Sequence, residues 1–248
     1  MRIITSIILF LLAIPAISQE DKMEEASRLY TEEQFQQAVA IYEEILQEGK
    51  ESAQLYFNLG NAYYKSGDAN MAILNYERAK LLAPNDEDID FNLQIANQYV
   101  VTSVEALPQP FFVRWSNSII NTNSADSWAR ISLISFILFL VLFGLFIFSK
   151  TVGIKRIAFI FGIVCIILSL TTFSFASKQK SKINTRNHAI VFCPRVTVKS
   201  SPSETGTDLF LIYEGLKVEI TDSISNWKEV KLLDGNQGWL QDSCIVRI

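Results

Sequence analysis

The sequence predicts a multi-domain membrane protein: an all-α repeat superhelix, a transmembrane α-hairpin and a small all-β barrel. Three observations carry this expectation. The first third repeats itself at an offset of 34 residues, two long runs in the middle carry no charge, and the last 60 residues alternate apolar and polar with period two. The averages over 248 residues conceal the mixture. Charged residues make up 19%, the net charge is −4 and the mean hydropathy is +0.21. That balance excludes a generally basic nucleic-acid binder, so no nucleic-acid partner is expected. One histidine and three cysteines exclude a multi-histidine centre, a four-cysteine zinc site and a dense disulfide scaffold.

The chain opens on Arg2, the uncharged stretch Ile3–Ile14, then Pro15, Ala16 and Ser18. A positive start, a short apolar run and small residues before the break form a secretory signal over residues 1–18, with cleavage expected after Ser18; retained, the segment becomes a third span with the same topology. Residues 131–149 and 157–177 follow later, bounded by Arg130, Lys150, Arg156 and Lys178. Each is about the 20 residues a membrane-crossing helix needs. Phe136–Phe148 shows no polar face at helical period, as a soluble core helix would. Only residues 150–156 separate the runs, so they pair as a hairpin with both flanks on one side. Basic residues lie at both ends, and the positive-inside rule does not decide between them. The export signal does, placing the turn 150–156 in the cytoplasm and both soluble domains in the periplasm, at a bacterial inner membrane.

Between Glu20 and Glu105 the segment carries 17 acidic and 6 basic residues. The offset aligns Leu29 with Tyr63, Tyr30 with Tyr64, Ala38 with Ala72, and Tyr42 with Tyr76. A further step lays Phe57-Asn58-Leu59 over Phe91-Asn92-Leu93. Tyr56, Leu59, Gly60 and Tyr63 lie on one helix face. Gly67-Asp68 breaks that helix, and Ala72, Tyr76 and Ala79 mark the buried face of the next. Gly60 and Ala72 let the two helices approach closely. Pro84 stops the pair, and Asn85 is positioned to cap a third element, a single helix over 86–98. These residues resemble the tetratricopeptide repeat: Tyr56, Leu59, Gly60, Tyr63, Ala72, Tyr76, Ala79 and Pro84 fill its signature places. Ala26, Leu29, Ala38 and Tyr42 fit a first repeat in which Lys22 and Glu25 replace bulky apolar residues. The resemblance implies a tetratricopeptide-repeat domain over 20–98 with a concave protein-binding groove at Gln54, Phe57, Asn58, Asn61, Tyr64 and Lys65, continued by Phe91 and Asn92. For any single one of these, the alternative is a generic repeat residue. The acidic balance favours a basic or polar partner, unless it only solvates outer faces.

Residues 99–130 form a connector. Pro108 and Pro110 argue against one continuous helix from repeat to membrane. Phe111, Phe112, Trp115, Ile119 and Ile120 suit the apolar face of an interfacial helix, with Trp128 and Arg130 as anchors before the span. A strand or loop docked on the repeats is the alternative. After the hairpin, 178–188 reads as a basic linker.

In residues 189–248, Val196/Val198, Val218/Ile220 and Val230/Leu232 read as strands, and Asp234-Gly235 as a hairpin turn. Val198, Ser201-Pro202-Ser203, Glu214-Gly215, Trp227, Asp234-Gly235 and Gly238-Trp239-Leu240 resemble the bacterial SH3-like domain, which implies a small barrel. The asparagine and arginine usual in that family's first strand are replaced by Thr197-Val198-Lys199, which removes a customary ligand contact. Trp227 and Trp239 offer a stacking surface or, alternatively, simple packing. Cys193 and Cys244 fall on the first and last strands, often neighbours in this barrel, and a disulfide between them is permitted outside the cytoplasm.

No phosphate-cradling loop, serine-nucleophile elbow or zinc-helix motif occurs. No catalytic, cofactor-binding or metal residue is expected, and the protein is read as a non-enzyme. The whole order of segments is similar to the BatE family of the Bacteroides aerotolerance operon, on Asp90–Asn97, Pro108–Trp115, Trp128, Val196–Pro202 and Gly235–Leu240. That resemblance implies a membrane-anchored scaffold in an aerotolerance or envelope-stress complex. Its partners would be von Willebrand A domain membrane proteins and a MoxR-type ATPase system. The alternative is a peptidoglycan-binding envelope anchor or sensor acting through the SH3-like domain.

Overall fold

The computed structural model describes residues 22–101, 107–108 and 110–248. The signal segment and part of the connector lie outside them. Two compact units result: one from 22–81, 86–107 and 187–248, the other from 82–85 and 108–186.

The first unit begins with helices. α1 is described from residue 22 to 31, followed by α2 (Phe35–Gln47), α3 (Ala53–Lys65), α4 (Ala69–Leu82) and α5 (Glu87–Ala96), which runs on into a 3₁₀ turn, Asn97–Tyr99. Ser52 caps α3 by accepting from Leu55 N, and Asp68 Oδ1 accepts from Met71 N at the start of α4. Gly67, between the two helices, has φ +90°, a left-handed conformation glycine adopts without a Cβ penalty. Gly60 is a close-approach site: a Cβ there would lie 2.7 Å from the Tyr76 ring. The cap of α5 is Asp86 rather than Asn85, since Asp86 Oδ1 accepts from both Asp88 N and Ile89 N. An ionised carboxylate is the better acceptor at a positive helix end.

The sheet has seven antiparallel strands: β1 (His188–Val191), β2 (Arg195–Lys199), β3 (Asp208–Tyr213), β4 (Lys217–Ile224), β5 (Trp227–Lys231), β6 (Gln237–Gln241) and β7 (Ile245–Arg247). Their order is β3-β2-β6-β5-β4-β1-β7. All three expected alternating pairs lie in or beside these strands, and Asp234-Gly235 falls between β5 and β6. The hydrogen-bonded order ends at β3 and β7, so the sheet is open where a closed barrel was expected. Val191, Val198, Ile212, Val218, Val230 and Leu240 form its core.

A second apolar cluster joins helices to sheet. Ala72, Ile73, Leu74, Tyr76, Leu93 and Ala96 of the repeats pack with Ile190 on β1 and Ile248 after β7, and Phe192 covers the cluster. Polar contacts surround it: Lys217 Nζ meets Glu77 Oε2 at 2.6 Å, Asn70 Nδ2 donates to Glu214 Oε2 at 2.9 Å, and Arg78 Nη2 donates to Arg247 O at 2.8 Å. Repeats and sheet, expected as two separate modules, form a single body. Leu107, in the connector, adds a backbone bond to Leu233 O at 2.9 Å.

The second unit holds α6 (Phe111–Asn121), α7 (Ala125–Phe148) and α8 (Val152–Thr185). α7 and α8 are long and apolar enough to cross a membrane. Their burial is inverted relative to a soluble core. Small or polar residues are buried, among them Ser132, Ser135, Ala158, Gly162, Ser169 and Thr172, while Leu133, Ile134, Ile160 and Phe173 are exposed. Ser132 and Ser169 each donate to the other's backbone carbonyl, at 2.9 and 3.0 Å. Close approach at small residues is how helices associate where lipid tails are as apolar as leucine. The turn is shorter than 150–156, because α8 begins at Val152. Residues 178–185 are helix rather than linker. Lysine and glutamine are good helix formers, and Gln179, 3% exposed, donates to Asn123 O at 3.0 Å.

Candidate protein-binding groove

The 34-residue period brings α1, α3 and α5 to equivalent places in the stack. Between them lies a pocket of about 300 Å³ lined by Tyr30, Asn61, Tyr64, Lys65, Tyr76, Asn92 and Ile95. Asn61 organises it. Its Oδ1 accepts from the Tyr76 hydroxyl at 2.8 Å and from Asn92 Nδ2 at 2.9 Å. An amide oxygen has two lone pairs, so both are used. Among the described residues the Asn61 Nδ2 donors and the Asn92 Oδ1 acceptor have no partner, which leaves them for a ligand. A donor beside an acceptor suits a peptide backbone.

The aromatic wall is held from behind. Tyr76 packs on Phe57 with ring centroids 6.0 Å apart, and burial pushes its phenol pKa upward, keeping it a protonated donor to Asn61. Tyr64 meets Tyr99 edge-on at 6.0 Å, and the neighbouring Tyr99 hydroxyl raises the Tyr64 pKa. Lys65 is the single charged residue in the lining, a cation in a segment that is acidic overall.

The structure brings Asn61, Tyr64, Lys65 and Asn92 together in this lining. Gln54 is exposed and outside it. Phe57 is turned toward Tyr76, and Asn58 lies beside the Tyr42 hydroxyl. Phe91 is 63% exposed and also outside the lining. Sequence reasoning missed Tyr30, Tyr76 and Ile95 as lining residues. The period held two of them, since Tyr30 and Ile95 sit one repeat from Tyr64 and Asn61. Tyr76 read as part of the buried face of its helix, and its hydroxyl gave no sequence signal.

In the sheet, Trp227 on β5 pairs with Gln241 and Trp239 on β6 pairs with Glu229. The two rings are therefore diagonal neighbours on one face. Trp239 is 9% exposed and has little ring surface left for stacking, while Trp227 is half-buried. Cys193 and Cys244 are joined by a disulfide with Cα atoms 4.9 Å apart. Cys165 is free and buried.

The family model for the tetratricopeptide repeat matches residues 53–86, which hold α3, the Gly67 turn, α4 and Pro84. The chain contains a tetratricopeptide repeat. Among solved structures, the crystal structure of MamA is similar at 17% identity. The match covers 64% of this chain and 96% of that one, with a TM-score of 0.28. No curated protein matches the chain.

Proposed function

We propose that this protein is a non-enzymatic, membrane-anchored scaffold whose tetratricopeptide repeats hold a partner protein through the groove between α1, α3 and α5. The observation that carries the reading is the Asn61 amide, locked by Tyr76 and Asn92 with its donors free. The groove fits an extended peptide whose backbone meets Asn61 and Asn92. An apolar side chain of that peptide would sit among Tyr30, Tyr64, Tyr76 and Ile95, with an acidic or polar group at Lys65.

α7 and α8 anchor the chain as a hairpin, supported by their outward-facing large residues and inward-facing small ones. Chain from both sides of the hairpin packs into one body, and a bilayer cannot divide a packed body. This supports placing both flanks on one side of the membrane, the periplasmic side of an inner membrane by the signal-segment argument. The sheet is read as an open SH3-like domain that braces the repeats. The resemblance to BatE proteins makes von Willebrand A domain membrane proteins and a MoxR-type ATPase system the partners to try first, in an aerotolerance or envelope-stress complex. Burial of Trp239 counts against peptidoglycan binding through the sheet.

The deciding experiment is in-cell photocrosslinking from position 65 in the full chain, with a co-expressed von Willebrand A domain protein as first candidate. A specific crosslink that disappears in an Asn61→Ala/Tyr64→Ala double variant of unchanged helicity is the expected result. A crosslink that survives the double change would reject the groove.

A further inference from the structure

A second cavity, of about 460 Å³, lies in the helical unit, lined by Ala125, Asp126 and Ala129 of α7 and by Phe173, Ala176, Ser177, Lys180, Ser181 and Asn184 of α8. The α8 residues recur at three and four, so they form one helical stripe. From Phe173 to Asn184 the stripe rises about 16 Å, passing from the uncharged stretch into the Lys178–Arg186 region. One end of the cavity is therefore apolar, bounded by Phe173, Ala129 and Ala176. The other is polar, bounded by Lys180, Ser181 and Asn184. Asp126 and Lys180 border the same cavity with opposite charges, and among the described residues neither has an ion-pair partner.

We propose that this cavity binds a phospholipid with a primary-ammonium headgroup, that is, a phosphoethanolamine lipid. The proposal rests on the reading of α7 and α8 as membrane-spanning. The phosphate accepts from Lys180 Nζ and from the Ser177 and Ser181 hydroxyls. The ammonium donates to the Asp126 carboxylate. The upper acyl chain lies against Phe173, Ala129 and Ala176. Charge complementarity selects this occupant: one cation and one anion match a zwitterion, whereas an anionic lipid would face Asp126 unfavourably. A choline headgroup carries no N–H to donate, so it forfeits the charge-assisted hydrogen bond to Asp126.

The test is native mass spectrometry of the full chain in detergent, titrated with phosphatidylethanolamine, phosphatidylcholine and phosphatidylglycerol of identical acyl chains. Retention of phosphatidylethanolamine about tenfold or more over the other two is expected, the scale of one charge-assisted hydrogen bond. Asp126→Asn should level ethanolamine with choline, Lys180→Gln should weaken all three, and Ala129→Trp should fill the cavity and abolish selective retention. Equal retention of ethanolamine and choline lipids, or selectivity untouched by these variants, overturns the proposal. So does displacement by free phosphoethanolamine alone, which would assign the cavity to a soluble phosphomonoester. Carbonate extraction of membranes separates the two failures. A chain that is extracted loses the membrane reading itself; a chain that stays but shows no selectivity loses only this site.

Discussion

Lys217 Nζ and Glu77 Oε2 lie 2.6 Å apart, although 140 residues separate them in the chain. Glu77 is nearly buried at 10% side-chain exposure, and Lys217 is at 35%. Removing one partner leaves the other charge poorly solvated, which costs more than the pair is worth. Glu77→Gln and Lys217→Met should each destabilise the protein by about 1–2 kcal/mol, and the double variant should recover about 1 kcal/mol of the summed loss. Chemical denaturation of the four proteins in detergent checks this. Strict additivity would mean that the two groups do not interact in solution.

Gly215 should tolerate alanine worse than Gly49 does. Both have positive φ, +82° and +79°. A Cβ on Gly215 would stand 2.8 Å from Val100 Cγ2, whereas one on Gly49 meets nothing within 4 Å. Gly49→Ala carries backbone strain alone, about 1 kcal/mol. Gly215→Ala adds a clash at the joint between repeats and sheet and should cost about 1–2 kcal/mol more. Equal melting temperatures for the two variants would show that the joint is loose at this point.

Glu48 gives the first repeat a signed pH dependence. Lys22 and Lys50 donate to its carboxylate at 2.5 and 2.7 Å and hold its pKa down from 4.5 to about 2. A pKa depressed in the folded state stabilises fully above the unfolded value and is lost as pH falls through the folded one. The difference in melting temperature between the native protein and Glu48→Gln should therefore be constant from neutrality to about pH 5 and close progressively toward about pH 2. Added salt should shrink it at neutral pH, because the cluster is exposed. A difference that grows on acidification contradicts the assignment.

The disulfide holds the ends of the β1–β7 ribbon. Cys193 follows β1 and Cys244 precedes β7, and these strands flank the residues that meet the repeats, Ile190 and Ile248. With a sequence separation of 51, opening it should cost about 2–4 kcal/mol. Under denaturing, non-reducing conditions alkylation should label Cys165 alone, and after reduction all three cysteines. The melting temperature should fall on reduction. Labelling of three cysteines before reduction would exclude the bond.

The helical repeat, the paired apolar helices and the strands were legible because each is a local periodicity. A 34-residue offset, a charge-free run and period-two alternation need no knowledge of tertiary contacts. The joint was not legible. Nothing in the sequence sets Ile190, Phe192 and Ile248 apart from their apolar neighbours, or Glu77 from the other acids of an acidic segment. Of the eight residues the repeat pattern assigned to the groove, Asn61, Tyr64, Lys65 and Asn92 line one pocket. Which way Phe57 and Asn58 turn depends on neighbours, Tyr76 and Tyr42, that only packing reveals. The extension of α8 through residue 185 escaped notice because a run of lysines reads equally well as linker or solvated helix. Only the Gln179 contact distinguishes them.

The first unit is stitched from chain on both sides of the two-helix insertion, and on the proposed reading of α7 and α8 as membrane-spanning this imposes an order on biogenesis. Ile73 and Leu74 cannot be covered until β1 and the residues around β7 have been synthesised and delivered to the same compartment. Until then the nascent repeats carry an uncovered apolar face. A chain that stalls within the hairpin, or sends its last segment to the wrong side, keeps that face open to chaperones and proteases. On that reading, completion of the first unit requires the hairpin to have been inserted correctly.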